Sequence, residues 1–122
     1  MNIILITARP EFWAPLLSDL QKQGCAAQSV NHPDEAASLL RADKQKNFLW
    51  ALLDLPHNFD SLRAAARKLS ALRPDLQLAA TSALSPADFS EAAAGLRFFP
   101  LPLHPEPDDL RRLLNGPGNR NN

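Results

Sequence analysis

Asp54 is the residue from which a chemical reading of this chain starts. It follows six apolar residues, Phe48-Leu49-Trp50-Ala51-Leu52-Leu53, and is followed by Leu55-Pro56. A short apolar run without polar alternation reads as a strand covered on both faces, as in the centre of a parallel sheet. Pro56 bars continuation of the ladder. Asp54 therefore lies at the carboxyl end of a central strand, the edge where open α/β sheets place ligands and chemistry. What it can do there depends on which groups the other strand ends bring.

Those groups are few. The first strand ends in Thr7-Ala8-Arg9-Pro10, which contains no glycine, so neither a dinucleotide fingerprint nor a phosphate-binding loop is present. Thr81-Ser82 closes a later strand, but no nucleophile elbow surrounds it. It reads as hydroxyls at a strand end. His32, His57 and His104 each lie near a proline, far apart in sequence, and their spacing supports no zinc site. Arg9, in the first loop, could in principle lend a cation, but a loop arginine is expected to be exposed.

The elements that position these groups follow in strict alternation. Residues 2–7 form a strand. Phe12, Leu16, Leu17 and Leu20 give a helical face, and Gly24 supplies the stop. Pro15 fits if that helix starts at residues 10–12, where amides lack intrahelical acceptors. Phe12 and Trp13 are adjacent, so one must face away from the core, and Trp13 is a contact candidate. Residues 25–30 are a weaker, edge-like strand. Asn31 or His32, then Pro33, Asp34 and Glu35, begin a second helix with a cap, a first-turn proline and dipole-matched acids. Residues 48–53 are the third strand, with Trp50 buried under a helix. Residues 62–72 are the third helix and 76–80 the fourth strand. Ser85-Pro86-Ala87-Asp88 opens a fourth helix ending at Gly95. Residues 96–99 are the fifth strand and 108–115 the last helix, with a polar tail at 116–122.

Five βα units predict a parallel sheet with helices on both faces. At this length the expected fold is flavodoxin-like, a (βα)5 three-layer sandwich with strand order 2-1-3-4-5. That order sets Thr7 beside Asp54, with Thr81 one strand further on. Residues 1–115 form one domain, and 116–122 are a flexible tail or the start of a linker.

Composition narrows the class of function. Thirteen acidic and thirteen basic residues cancel, so no basic patch points to nucleic acid. One cysteine, Cys25, excludes an internal disulfide. No apolar run approaches the roughly 18 residues of a membrane span, and the first residues lack the basic region of a signal peptide. The expectation is a cytoplasmic protein with no membrane or nucleic-acid partner.

The five βα units, the Asp54-Leu55-Pro56 turn after strand 3, Thr81 after strand 4 and Leu101-Pro102 after strand 5 together resemble the receiver (CheY-like) domain of two-component response regulators. The resemblance covers residues 1 to about 115. It implies that Asp54 stands at the phospho-acceptor position and Thr81 at the hydroxyl position. Phe98 or Phe99 would be the switch aromatic. It implies a histidine kinase or effector as protein partner, and a contact or homodimer surface along the fourth helix, fifth strand and fifth helix. On that surface Phe89, Leu101 and Leu103 are the candidates.

The departures from the family are as informative. The family's acidic pair after strand 1 is replaced by Thr7-Ala8, its lysine before the proline by Leu101, and only Leu55 separates Asp54 from Pro56. Mg²⁺ wants hard oxygen ligands, typically one or two carboxylates with phosphate and water. Phosphoryl transfer leans on metal and cations to neutralise the transferring oxygens. Losing one such contact costs on the order of 3 kcal/mol. Asp54 is thus either a phospho-acceptor in a degenerate site or a remnant carboxylate capping a loop amide. The reading that follows is an atypical receiver acting by protein–protein contact, with no catalytic residue, metal or cofactor. A working phospho-acceptor and a small-molecule-sensing pseudo-receiver are its alternatives.

Overall fold

The structure, a computed structural model, describes residues 1–55, 59–93, 96 and 98–115. Ten elements alternate: β1 (Asn2–Thr7), α1 (Pro10–Lys22), β2 (Ala26–Val30), α2 (Pro33–Ala42), β3 (Phe48–Asp54), α3 (Phe59–Leu72), β4 (Gln77–Thr81), α4 (Pro86–Ala92), β5 (Phe98–Leu101) and α5 (Pro107–Asn115). The sheet is parallel in the order β2-β1-β3-β4-β5, as the alternation predicts. Thr7 pairs with Asp54 across β1 and β3.

Alternate residues of the central strands feed two cores. Ile4, Ile6, Ala51, Leu53, Leu78 and Ala80 pack with buried residues of α2, α3 and α4. Ile3, Leu5, Trp50, Leu52 and Ala79 pack with Trp13, Leu16 and Leu20 of α1 and Leu110, Leu113 and Leu114 of α5. Both faces of the sheet are covered, which is why β3 needs no polar alternation.

The local signals act as their chemistry requires. His32 Nδ1 accepts from the Asp34 amide at the start of α2, with Pro33 next to it. Ser85 Oγ accepts from the Asp88 amide and caps α4. Gly24 takes φ +85° after α1, a conformation that other residues adopt only with strain.

Four expectations need correction. The inward face of α1 is Trp13, Leu16 and Leu20, with Phe12 only half-buried, so Trp13 is no surface contact. Pro15 is the sixth residue of α1, past the free first turn; it is exposed, leaving the unmatched carbonyl one turn back to solvent. Helix α3 starts at Phe59, three residues before the first residue of the apolar face. Strand β5 spans Phe98–Leu101 instead of 96–99, because Pro100 does not break it. On an edge strand a missing N–H can face outward without loss. The stops assigned to Pro56 and Gly95, the histidine at His57 and the tail 116–122 lie outside the described residues.

Candidate functional site

Three strand ends and one loop converge on Asp54. The end of β3 delivers its carboxylate into the interior, where the side chain has no exposed surface. Five side-chain hydrogen bonds reach it. Oδ2 accepts from Thr7 Oγ1 at 2.6 Å, Arg9 Nε at 2.7 Å and Trp13 Nε1 at 2.8 Å. Oδ1 accepts from Arg9 Nη2 at 2.8 Å and Thr81 Oγ1 at 2.8 Å. The Arg9 fork is bidentate, the arrangement in which guanidinium and carboxylate geometries match.

Arg9 also reaches across to the segment after β5. Nη2 donates to the Leu103 carbonyl at 2.6 Å, and Nη1 lies 3.0 Å from His104 Nδ1. A guanidinium only donates, so this contact is a hydrogen bond in the tautomer whose Nδ1 accepts. The Phe12 ring lies 4.3 Å from the guanidinium carbon, a cation–π contact, and Phe12 also packs against His104. The Arg9 amide donates to Thr7 Oγ1 at 2.9 Å, fixing the hydroxyl that itself donates to Asp54.

The electrostatics follow from this geometry. Burial pushes the Asp54 carboxyl upward, but the hydrogen bonds from Arg9, Thr7, Trp13 and Thr81 outweigh it and hold the group below the usual carboxylate range. The bond to Asp54 raises the Arg9 guanidinium further above its ordinary value, against the opposing effect of burial. Asp54 is an ionised, neutralised carboxylate.

What such a carboxylate can do chemically is limited. Two oxygens offer about four lone-pair sites. Five donor groups from four residues occupy them, two of the five on a fixed cation. A phosphoryl acceptor needs a free lone pair, and Mg²⁺ needs hard oxygen donors. Here Thr7 already donates to Asp54, Ala8 has no side-chain ligand atom, and a guanidinium stands against the carboxylate. This donor set does not fit Mg²⁺. Among the described residues no cluster of three His, Cys, Asp or Glu side chains could hold a metal.

The residues singled out from sequence are placed as follows. Thr81 and Thr7 meet Asp54. Asp54 accepts from side chains, with no loop amide bound to it among the described residues. Arg9 is not an exposed loop cation; its side chain is 27% exposed and turned onto Asp54. Leu101 is buried at the end of β5, paired with Thr81. Phe89 is also buried, between Phe59 and Phe98. Neither is available as a contact residue, because each fills a core. Phe98 and Phe99 are half-buried on opposite faces of the sheet, Phe98 against Phe89 and Phe99 against Trp50. Leu103 is half-buried and supplies its carbonyl to Arg9.

Sequence reasoning missed Trp13 and underrated Arg9. The available signal was spacing. Arg9 precedes the first residue of α1 and Trp13 lies one turn later, so both project over the same strand ends.

No protein-family model matches the sequence, and no curated protein matches it closely enough to count as a relative. Solved structures do resemble it. A protein from Burkholderia thailandensis ascribed to pilus assembly is 25% identical, with TM-score 0.71 over 94% of this chain and 95% of that one. A pilus assembly-related protein from Burkholderia pseudomallei is 21% identical, with TM-score 0.73 over 94% and 87%. A response regulator receiver domain from Methylobacillus flagellatus is 20% identical, with TM-score 0.73 over 94% and 96%. The chain has the receiver (CheY-like) fold.

Proposed function

We propose that this chain is a pseudo-receiver, a signalling module that works through protein–protein contact and without Mg²⁺-dependent phosphorylation of Asp54. The observation that carries the reading is the bidentate fork of Arg9 on Asp54. A cation sits on the acceptor position of a receiver fold, brought from the first loop, while Leu101 stands where the family's lysine would. Phosphorylation of Asp54 would require this fork to open first. The partner is a protein, either a histidine kinase or a downstream effector. The likeness to two proteins ascribed to pilus assembly adds components of such an assembly to that class. With Phe89 and Leu101 buried, the contact surface reduces to the stiff segment around exposed Pro100 and Pro102 and half-buried Leu103.

The small-molecule alternative attaches to an open cleft of about 540 Å³ lined by Thr7, Ala8, Pro10, Ser29, Val30, Asn31 and Glu35. The Glu35 carboxylate in it already accepts from the Asn31 amide, so the cleft offers less recognition chemistry than its lining suggests.

Beryllofluoride with Mg²⁺ tests the reading. Amide spectra around Asp54, Thr81 and Phe98 are expected to stay unchanged. Saturable shifts that vanish in Asp54→Asn would overturn it.

A further inference from the structure

The contacts around Asp54 close into a ring. Asp54 accepts from Thr81. The next residue, Ser82, donates its amide to the Leu101 carbonyl at 3.1 Å, and its Oγ accepts from the Leu84 amide at 3.0 Å. Two residues beyond Leu101, the Leu103 carbonyl accepts from Arg9, which returns to Asp54. The connections after β4 and after β5 are therefore both tied to one buried carboxylate, and Arg9 is the member that joins Asp54 to the segment after β5. Four Arg9 contacts, to Oδ2, Oδ1, the Leu103 carbonyl and His104 Nδ1, and the Phe12 ring beneath leave the guanidinium one geometry. A switching element needs two arrangements of comparable free energy. A ring whose bonds at Asp54 and Arg9 are charge-assisted favours one.

We propose that Arg9 is a built-in latch: it holds the β4–α4 and β5–α5 loops in a single arrangement, so that the face they present to a protein partner is permanently formed. This rests on the pseudo-receiver reading and adds to it how the module is regulated. Its output is set by whether the chain is present, and no covalent change at Asp54 is needed to expose the surface. Arg9 acts as a positioning residue, through Asp54 and Leu103.

The test uses the full chain, ¹⁵N-labelled, with relaxation dispersion and amide hydrogen exchange. The reporters are Thr81, Ser82, Leu84, Leu101, Leu103 and His104; Asn47 and Phe48, at the opposite end of β3, are internal controls. The wild-type protein is expected to show no dispersion at the reporters. Arg9→Ala is expected to introduce it and to speed exchange there by about tenfold or more, with the controls unchanged. Methylguanidinium at a non-denaturing concentration should reverse the effect. If Arg9→Ala does not fold, Arg9→Lys decides, because a single ammonium keeps the charge but cannot span both carboxylate oxygens and Leu103. It should loosen the β5–α5 reporters more than Thr81. Dispersion at both loops in the wild type, or loops in the folded variant as quiet as in the wild type, overturns the latch. A beryllofluoride response in a wild type with quiet loops overturns the pseudo-receiver reading instead, so the two failures are distinct.

Discussion

Strand β3 is held at each end by an aspartate–arginine pair, and the two pairs use their hydrogen bonds differently. At the amino end, Asp43 accepts from the backbone amides of Asn47 at Oδ1 and Phe48 at Oδ2, both at 2.9 Å. It thereby wraps a tight loop in which Lys46 takes φ 55°. Arg73 joins Asp43 at 3.2 Å, donates to the Phe48 carbonyl at 2.8 Å and reaches Asp75. At the carboxyl end, Asp54 binds only hydroxyls, an indole and a guanidinium among the described residues. The lower pair satisfies backbone groups that would otherwise be orphaned, as loops everywhere require. The upper pair satisfies side chains gathered from β1, the β1–α1 loop, α1 and β4. A carboxylate that serves only structure is met by the nearest backbone. One surrounded by converging side chains occupies a site whose layout belongs to the fold, and here the Arg9 fork fills it.

The comparison can be broken from either end. Arg73→Ala should have the largest effect, since the Arg73 side chain is 7% exposed and its loss removes a donor from the Phe48 carbonyl and the cation beside the buried Asp43 carboxylate. About 3 kcal/mol of stability is expected to go, read from urea unfolding, with the Asp54 resonances unmoved. Arg9→Ala should cost less, about 2 kcal/mol, because Arg9 is partly solvated and Thr7, Trp13 and Thr81 still donate to Asp54. Its signature is local: the Trp13 indole environment changes while the Asp43 loop does not. An equal cost, or a change spread to both ends, would mean that the upper pair is structural in the same sense as the lower.

Acid should sharpen the contrast. Both carboxyls lie below their unfolded values. For Asp43 the chief cause is the Phe48 amide, with Asn47 and Arg73 adding to it. For Asp54 the lowering bonds, Arg9 first, overcome burial. A depressed folded-state value gives stability that is complete above the unfolded value of about 4 and is lost as pH falls through the folded value. Stability should therefore fall on acidification below about pH 4. Asp54→Asn should flatten its own share of that limb and leave the share of Asp43. The smallest effect expected is that of Thr81→Val, which removes one of the two donors to Oδ1 while keeping shape, at about 1 kcal/mol. A neutral result there would detach Thr81 from the ring.

Much of this was legible in the sequence, for stateable reasons. The apolar run of β3 and the βα alternation predict the strand order, and that order places Thr7 and Thr81 beside Asp54. The His32 and Ser85 caps are written in side-chain chemistry next to a proline. Other features were hidden by physics that no pattern records. Arg9 and Arg73 have long side chains on residues that are usually exposed, and only the tertiary fold shows where a guanidinium is buried. Trp13 and Phe12 differ by a single step of helical phase, and it is Trp13 that shares the inward face with Leu16 and Leu20. Pro100 ends a strand in most contexts and is tolerated here at the sheet edge. Phe89 and Leu101, which the family resemblance puts on a contact face, were drawn into the core by Phe59, Phe98 and α5.

Under the proposed pseudo-receiver reading, Asp54 has no lone pair left for a metal or a phosphoryl group. The indole N–H of Trp13, which donates to Asp54 Oδ2, reports on this directly. Mg²⁺ titrated into the ¹⁵N-labelled protein at neutral pH should leave that indole resonance, and those of Arg9 Nε and Thr81, unmoved beyond a non-saturating ionic-strength drift. A saturable shift of all three that is absent in Asp54→Asn would contradict the account, because it would show that the Arg9 fork yields to a metal.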